Sequence, residues 1–244
     1  MEPETTQTIE TPVAVDAIPK IKPLFTEAWS FVKQRRDIVL WYAAPLVILS
    51  LSVSDYATNY AENNSSMHLL IIVSLVVGVY MIFNTLALLH AVHQPAVEQV
   101  PFKSSLGWAK GKFWPFVWLS IVSSVVIMLG YMALIIPGII LTGYFVFAQF
   151  AFYHDGVTGT KALKASYRVV KGRWWKVAKK VALAYLYFIL IFVAVAMVLG
   201  VIEAIGGGGV FISLVADVVE QVFMAIVSII VMFVLARLYE AYKS

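Results

Sequence analysis

From Phe113 to Tyr153 the chain runs 41 residues without an Asp, Glu, Lys or Arg. A soluble domain carries about 25% charged residues and cannot hide such a run. The stretch is twice the ~20 residues an α-helix needs to cross a ~30 Å hydrocarbon core. Ile136-Pro137-Gly138 lies near its middle. Proline removes a backbone donor there and glycine permits reversal, so the sequence predicts a tight helical hairpin. One kinked helix is the alternative, and it would put the following basic loop on the wrong side of the membrane.

Composition agrees. Only 13% of residues are charged and 61% are hydrophobic, with a mean hydropathy of +0.86. Lipid must cover much of the surface. The net charge of +4 comes from cations beside apolar runs, which a membrane explains and which makes nucleic acid an unexpected partner. The chain has no cysteine, so disulfides, thiolate metal sites and a cysteine nucleophile are excluded. Met1 to Pro19 has neither a basic start nor an apolar core, so the first span is expected to act as an uncleaved anchor.

The spacing predicts an all-α, polytopic protein of six spans arranged as three hairpins. Residues 1–22 read as a disordered tail, and 23–244 as a single membrane domain. Span 1 runs from about Ile38 to Ser54, span 2 from His68 to Val92, and spans 3 and 4 flank Pro137-Gly138. Span 5 covers about Val181 to Ile202, and span 6 ends at Ala236. All 18 Lys and Arg then fall on one side, and the loops at 55–67 and Gly206–Gly209 hold none. Cationic loops stay cytoplasmic, so both termini are expected inside. Trp29, Trp41, Trp108, Trp114, Trp118, Trp174 and Trp175 all fall near that boundary, where indole prefers to sit.

Three segments align without gaps: FTEAWSFVKQRR (25–36), FKSSLGWAKGKF (102–113) and LKASYRVVKGRW (163–174). Each places a large apolar residue three before a small one and closes on a basic pair. Each precedes two spans, so the expected unit is an interfacial amphipathic helix plus a hairpin, repeated over 23–92, 100–153 and 161–236. Convergence of short basic-ended helices is the alternative. In the third copy Leu163, Tyr167, Val170 and Trp174 share a face beside Lys161, Lys164, Arg168 and Lys171. With Arg173, these cations are the candidate contacts for anionic phospholipid or a membrane protein partner.

The stretch from Ile136 to Trp175 resembles the glycerophosphoryl diester phosphodiesterase membrane-domain family and related bacterial six-span proteins. The resemblance rests on Pro137-Gly138, Asp155-Gly156, Ala162-Leu163-Lys164-x-Ser166 and Val170-Lys171-Gly172-Arg173-Trp174-Trp175. It covers about 40 residues in detail. It implies a six-span membrane domain in a bacterial cytoplasmic membrane. Some relatives carry a soluble phosphodiesterase domain. Here short flanks are expected to leave no room for one, and the sequence shows no His/Glu metal cluster of the kind such an enzyme needs.

Other polar residues offer weaker chemistry. His90 and His93 share a helical face at i, i+3, but a metal would need another ligand, and Gln94 and Glu98 are the nearest along the chain. Interfacial histidines are the default, so no metal or cofactor is expected. Asp217 and Glu220, with Glu203 on the same side, are candidates for an ion or proton path, although a solvated outer interface is the favoured reading of these groups. Asn84 and Gln149 lie mid-span, where amides hydrogen-bond between helices. No Ser/His/Asp set, phosphate-cradling loop or catalytic carboxylate pair can be assembled. The sequence therefore points to a non-enzymatic scaffold or accessory protein acting through its basic helices. A small transporter using polar groups of spans 2, 4 and 6 is the alternative.

Overall fold

The computed structural model describes residues 21–59, 65–94, 102–205 and 210–243, and every regular element among them is an α-helix. In chain order these are α1 (Ile21–Gln34), α2 (Arg36–Asn59), α3 (Ser65–Val92), α4 (Phe102–Ala133), α5 (Ile135–Phe145), α6 (Ala148–Asp155), α7 (Thr160–Val170), α8 (Trp174–Ile205) and α9 (Val210–Lys243). Five stretches are long and apolar enough to cross a membrane: Ile71–Val92, Phe102–Ala133, Ile135–Asp155, Trp174–Ile202 and Leu214–Lys243. The protein is a multi-pass integral membrane protein. The 24-residue α2, which carries the first expected span, is not among these five. Most of the expected N-terminal tail and the outer turn at 206–209 lie outside the described residues, as does part of the loop 55–67.

Where helices stop has local causes. The α4–α5 reversal comes at Leu134, extended at φ −169°, slightly before the expected Pro137-Gly138 turn. Pro137 instead sits in the first turn of α5, where its missing N–H has no intrahelical partner to lose. The two helices then pack with almost no space between them. A Cβ on Gly130 would lie 2.6 Å from Leu141 Cδ1 and 3.2 Å from the Gly138 Cα, and one on Gly138 would strike the Tyr131 ring. Small residues at such a crossing let backbones approach where lipid supplies no hydrophobic drive.

The expected fourth span is not one straight helix. It breaks at Val146–Phe147 between α5 and α6. Ser166 of α7 bridges the gap, its hydroxyl accepting from Phe147 N at 3.2 Å and donating to Tyr144 O at 2.7 Å. Irregular backbone inside a membrane protein persists only where such groups are satisfied.

The second basic segment departs from expectation. Residues 102–112 are continuous with span 3 in one 32-residue helix, α4, rather than forming a separate interfacial helix. The apolar character simply continues through Pro115, and nothing between Lys112 and Phe113 terminates the helix. Equivalent positions of the three aligned segments are nonetheless buried alike: Ala28, Ser105 and Ser166 at the small position, and Val32, Ala109 and Val170 four residues on.

The packed core lies at the end of the bundle reached by α1 and α7. It draws on the apolar residues within 86–92, 147–152 and 229–242, wedged by Leu24, Ala28, Phe102 and Leu163. α9 is its axis, packing on α1, α2, α3 and α8. At the other end Ile72, Val76, Met132, Leu134, Leu190 and Ile205 are exposed, as lipid-facing side chains must be. α8 is the peripheral helix: 6% of its apolar window is buried, against 39% for α9, so most of α8 faces lipid.

Candidate functional site

Two groups of side chains at the packed end carry chemistry. The first is the basic helix α7 with the turn that follows it. Ala162, Leu163, Ser166 and Val170 are buried against α5 and α6, which turns Lys161, Lys164, Arg168, Lys171 and Arg173 outward, all five exposed. Lys171 Nζ lies 5.8 Å from the centre of the Tyr167 ring, and Arg173 donates from Nη1 to Tyr242 O at 3.5 Å. Gly159, at φ +56° and ψ −133°, opens the helix in a conformation that L side chains rarely adopt. A Cβ there would also lie 2.7 Å from Trp118 Nε1.

Beside this turn is a cavity of about 650 Å³. It is lined by Ile136, Ile139, Ile140 and Tyr144 of α5 and by Arg173, Trp174, Trp175 and Lys176 around the start of α8. Trp174 fixes the geometry by donating from Nε1 to Ile140 O at 3.1 Å. The lining is amphiphilic: Arg173 and Lys176 from around the start of α8 and branched aliphatic side chains from α5.

The second group is aromatic and histidine-rich. His93, just past α3, stacks on Tyr153 at 4.4 Å between ring centres and meets His154 edge-on at 4.6 Å. Its Nδ1 lies 2.6 Å from Leu89 O. A carbonyl can only accept, so Nδ1 carries the proton and Nε2 holds the lone pair. That Nε2 is buried and has no hydrogen-bond partner among the described residues. A buried acceptor left unpaired costs about 1–3 kcal/mol. Burial pulls the His93 imidazole down to about 4, overriding the Leu89 hydrogen bond and the nearby Glu240.

α9 completes this group. The sequence suggests that span 6 ends at Ala236, but α9 continues to Lys243. Those extra turns bring Glu240 Oε1 to 3.9 Å from His154 Nε2, while Arg237 Nη1 holds Oε2 at 2.9 Å. Lys243 pairs with Asp155, whose other oxygen lies 3.4 Å from the Tyr239 hydroxyl. One ligand-type atom each from His93, His154 and Glu240 lies within 4.8 Å of the other two. His90, the expected companion of His93, turns to Ser105 Oγ at 3.1 Å and stacks on Trp108 at 4.8 Å. The sequence offered no sign of Glu240, since His93, His154 and Glu240 are distant in the chain.

Comparison with protein-family models, with curated proteins and with solved structures finds no match to this chain.

The remaining polar candidates are dispersed. Asp217 and Glu220, part-buried in the first half of α9, make no hydrogen bond or ion pair among the described residues. They lie 23 and 20 residues before Glu240, at least about 30 Å along the helix. Glu203 is in α8, and its side chain lies outside the described residues. Gln149 reaches across to α9, donating from Nε2 to Met232 Sδ at 3.6 Å, a weak acceptor. Asn84 corrects the sequence reading: it is fully buried, but neither its Oδ1 nor its Nδ2 finds a partner among the described residues.

A junction between segments completes this end. Arg35 forks onto Asp37 at 3.1 and 3.2 Å, and Asp37 Oδ2 also accepts from the first N–H of α4, on Phe102, at 3.3 Å. Partial burial pushes the Asp37 carboxyl up, but Arg35 and the Phe102 N–H outweigh it and hold it below its usual range.

Proposed function

We propose that this is a non-enzymatic accessory or scaffold protein of the bacterial cytoplasmic membrane that holds anionic phospholipid at its basic end. In this reading it has six spans, with α2 as the first, and both termini in the cytoplasm. The family resemblance of residues 136–175 belongs to the same proposal.

The observation that carries it is the cavity between α5 and the start of α8. A phosphodiester headgroup fits the Arg173 and Lys176 edge, and an acyl chain fits along Ile136, Ile139 and Ile140. Each cation near an anionic headgroup contributes on the order of 1 kcal/mol, and Lys161, Lys164 and Arg168 lie on the adjoining helix, with Lys171 at its C-terminal cap. Two exposed or half-exposed indoles, Trp174 and Trp175, suit the headgroup depth.

Native mass spectrometry of the detergent-solubilised protein tests the reading. Phosphatidylglycerol should remain bound at collision energies that strip phosphatidylcholine, and Arg173→Gln with Lys176→Gln should abolish that preference. Equal retention of both lipids by the wild type would defeat the proposal. Turnover of a phospholipid by the pure protein would defeat its non-enzymatic part.

One observation favours the transporter reading. Tyr42, Thr85, Gln149 and Ser228 line a second cavity of about 440 Å³ among the spans. Solute flux into proteoliposomes that Gln149→Leu abolishes would support that reading over the first.

A further inference from the structure

We infer that His93, His154 and Glu240 form a binding site for a divalent first-row metal ion, zinc by its donor set, which ties the ends of α3, α6 and α9 together. The inference is independent of lipid binding and uses none of the residues assigned to it.

Four observations carry it. The three ligand atoms lie within 4.8 Å of one another, though their residues come from three separate parts of the chain. The His93 lone pair at Nε2 is buried and unpartnered, aimed at nothing the protein supplies. Its other nitrogen is committed to Leu89 O, the backbone contact that fixes tautomer and ring orientation in metal-ligating histidines. Glu240 is oriented in the same manner, with Arg237 on Oε2 leaving Oε1 turned to His154.

The donor set selects the ion. Two imidazoles and one carboxylate suit zinc, and three protein ligands leave a fourth position for water. Zinc–nitrogen bonds of about 2.0–2.1 Å place tetrahedral ligand atoms roughly 3.3 Å apart. The observed spacing therefore closes by an ångström or so (about one side-chain rotation) when the ion enters. His93 is anchored, whereas His154 is exposed and Glu240 half-exposed, so the last two make that adjustment.

The experiment uses the full chain, purified in detergent without a polyhistidine tag and stripped with chelator. Zinc is titrated by calorimetry, and cobalt(II) is followed by its visible absorption. The wild type should bind about one zinc per chain and give intense tetrahedral cobalt bands. His154→Asn and Glu240→Gln, both at solvent-accessible positions, should fold normally by circular dichroism, weaken zinc at least about tenfold and lose those bands. His68→Gln, on the exposed start of α3, should bind as the wild type does. A wild type that takes up no zinc overturns the inference. So does a folded His154→Asn or Glu240→Gln variant with unchanged affinity, since the metal would then reside elsewhere.

Discussion

His93 is the residue whose surroundings say most about this protein. Burial holds its imidazole at about 4, while an unfolded chain takes up the proton near the ordinary 6.5. Between those values the unfolded state binds more protons than the folded one, so stability falls as pH drops from 6.5 towards 4 and levels off below. The full shift corresponds to a ceiling of roughly 3 kcal/mol. The groups facing His93 are His154 and Arg237, which hold it down, Glu240, which opposes them, and Tyr153, which stacks on its ring. His90 is on its own helix and turned away to Ser105. His93→Gln keeps a donor for Leu89 O and removes the titration. Its thermal midpoint in chelator-containing detergent buffer should fall less between pH 7 and pH 5 than that of the wild type; an equal fall in both would show that the acid sensitivity lies elsewhere. In sequence His93 is conspicuous only as half of an i, i+3 pair with His90. Helical periodicity relates residues a turn apart, and nothing in it couples position 93 to 154 and 240. Spacing alone pairs His93 with His90 and is silent about His154 and Glu240.

At the scale of elements, the serine of the third aligned segment decides whether α5 and α6 are one helix or two. Ser166→Ala leaves Phe147 N–H and Tyr144 C=O without the bridging hydroxyl. An unsatisfied buried group costs about 1–3 kcal/mol, which should appear as a drop of several degrees in the thermal midpoint. An unchanged midpoint would mean that the break heals into continuous helix and that Ser166 does not maintain it. The apolar runs and the amphipathic character of α1 and α7 were legible, because each follows from local composition and period. The break at Val146–Phe147 was not. Its cause is a side chain about 20 residues downstream, and FVFAQF reads equally well as unbroken helix. The same limit explains α4: a basic cluster ahead of a span looks like an interfacial helix whether or not the backbone interrupts there, and only α1 and α7 have the interruption.

For the whole molecule the question is which way the packed end faces. Asp37 with Phe102, Thr158 with Pro115, Asp155 with Lys243 and Arg173 with Tyr242 draw the loops around residues 36, 102, 158, 172 and 242 to one end. The cations travel with them, since Arg35, Lys103, Lys161 and Lys171 belong to these segments. Exporting such a cluster across a bilayer would be far more costly than exporting the loops that hold no Lys or Arg, so the packed end should face the cytoplasm. The absence of cysteine makes this measurable with single thiols. In intact cells, Gly206→Cys should react with a membrane-impermeant maleimide. Thr160→Cys, exposed at the start of α7, should react only after the membrane is opened. Labelling of Thr160→Cys from outside would reverse the orientation and remove the inner-leaflet lipid from the reach of Arg173 and Lys176. The metal site would survive that result, because its three ligands depend on how α3, α6 and α9 converge and not on which compartment they face.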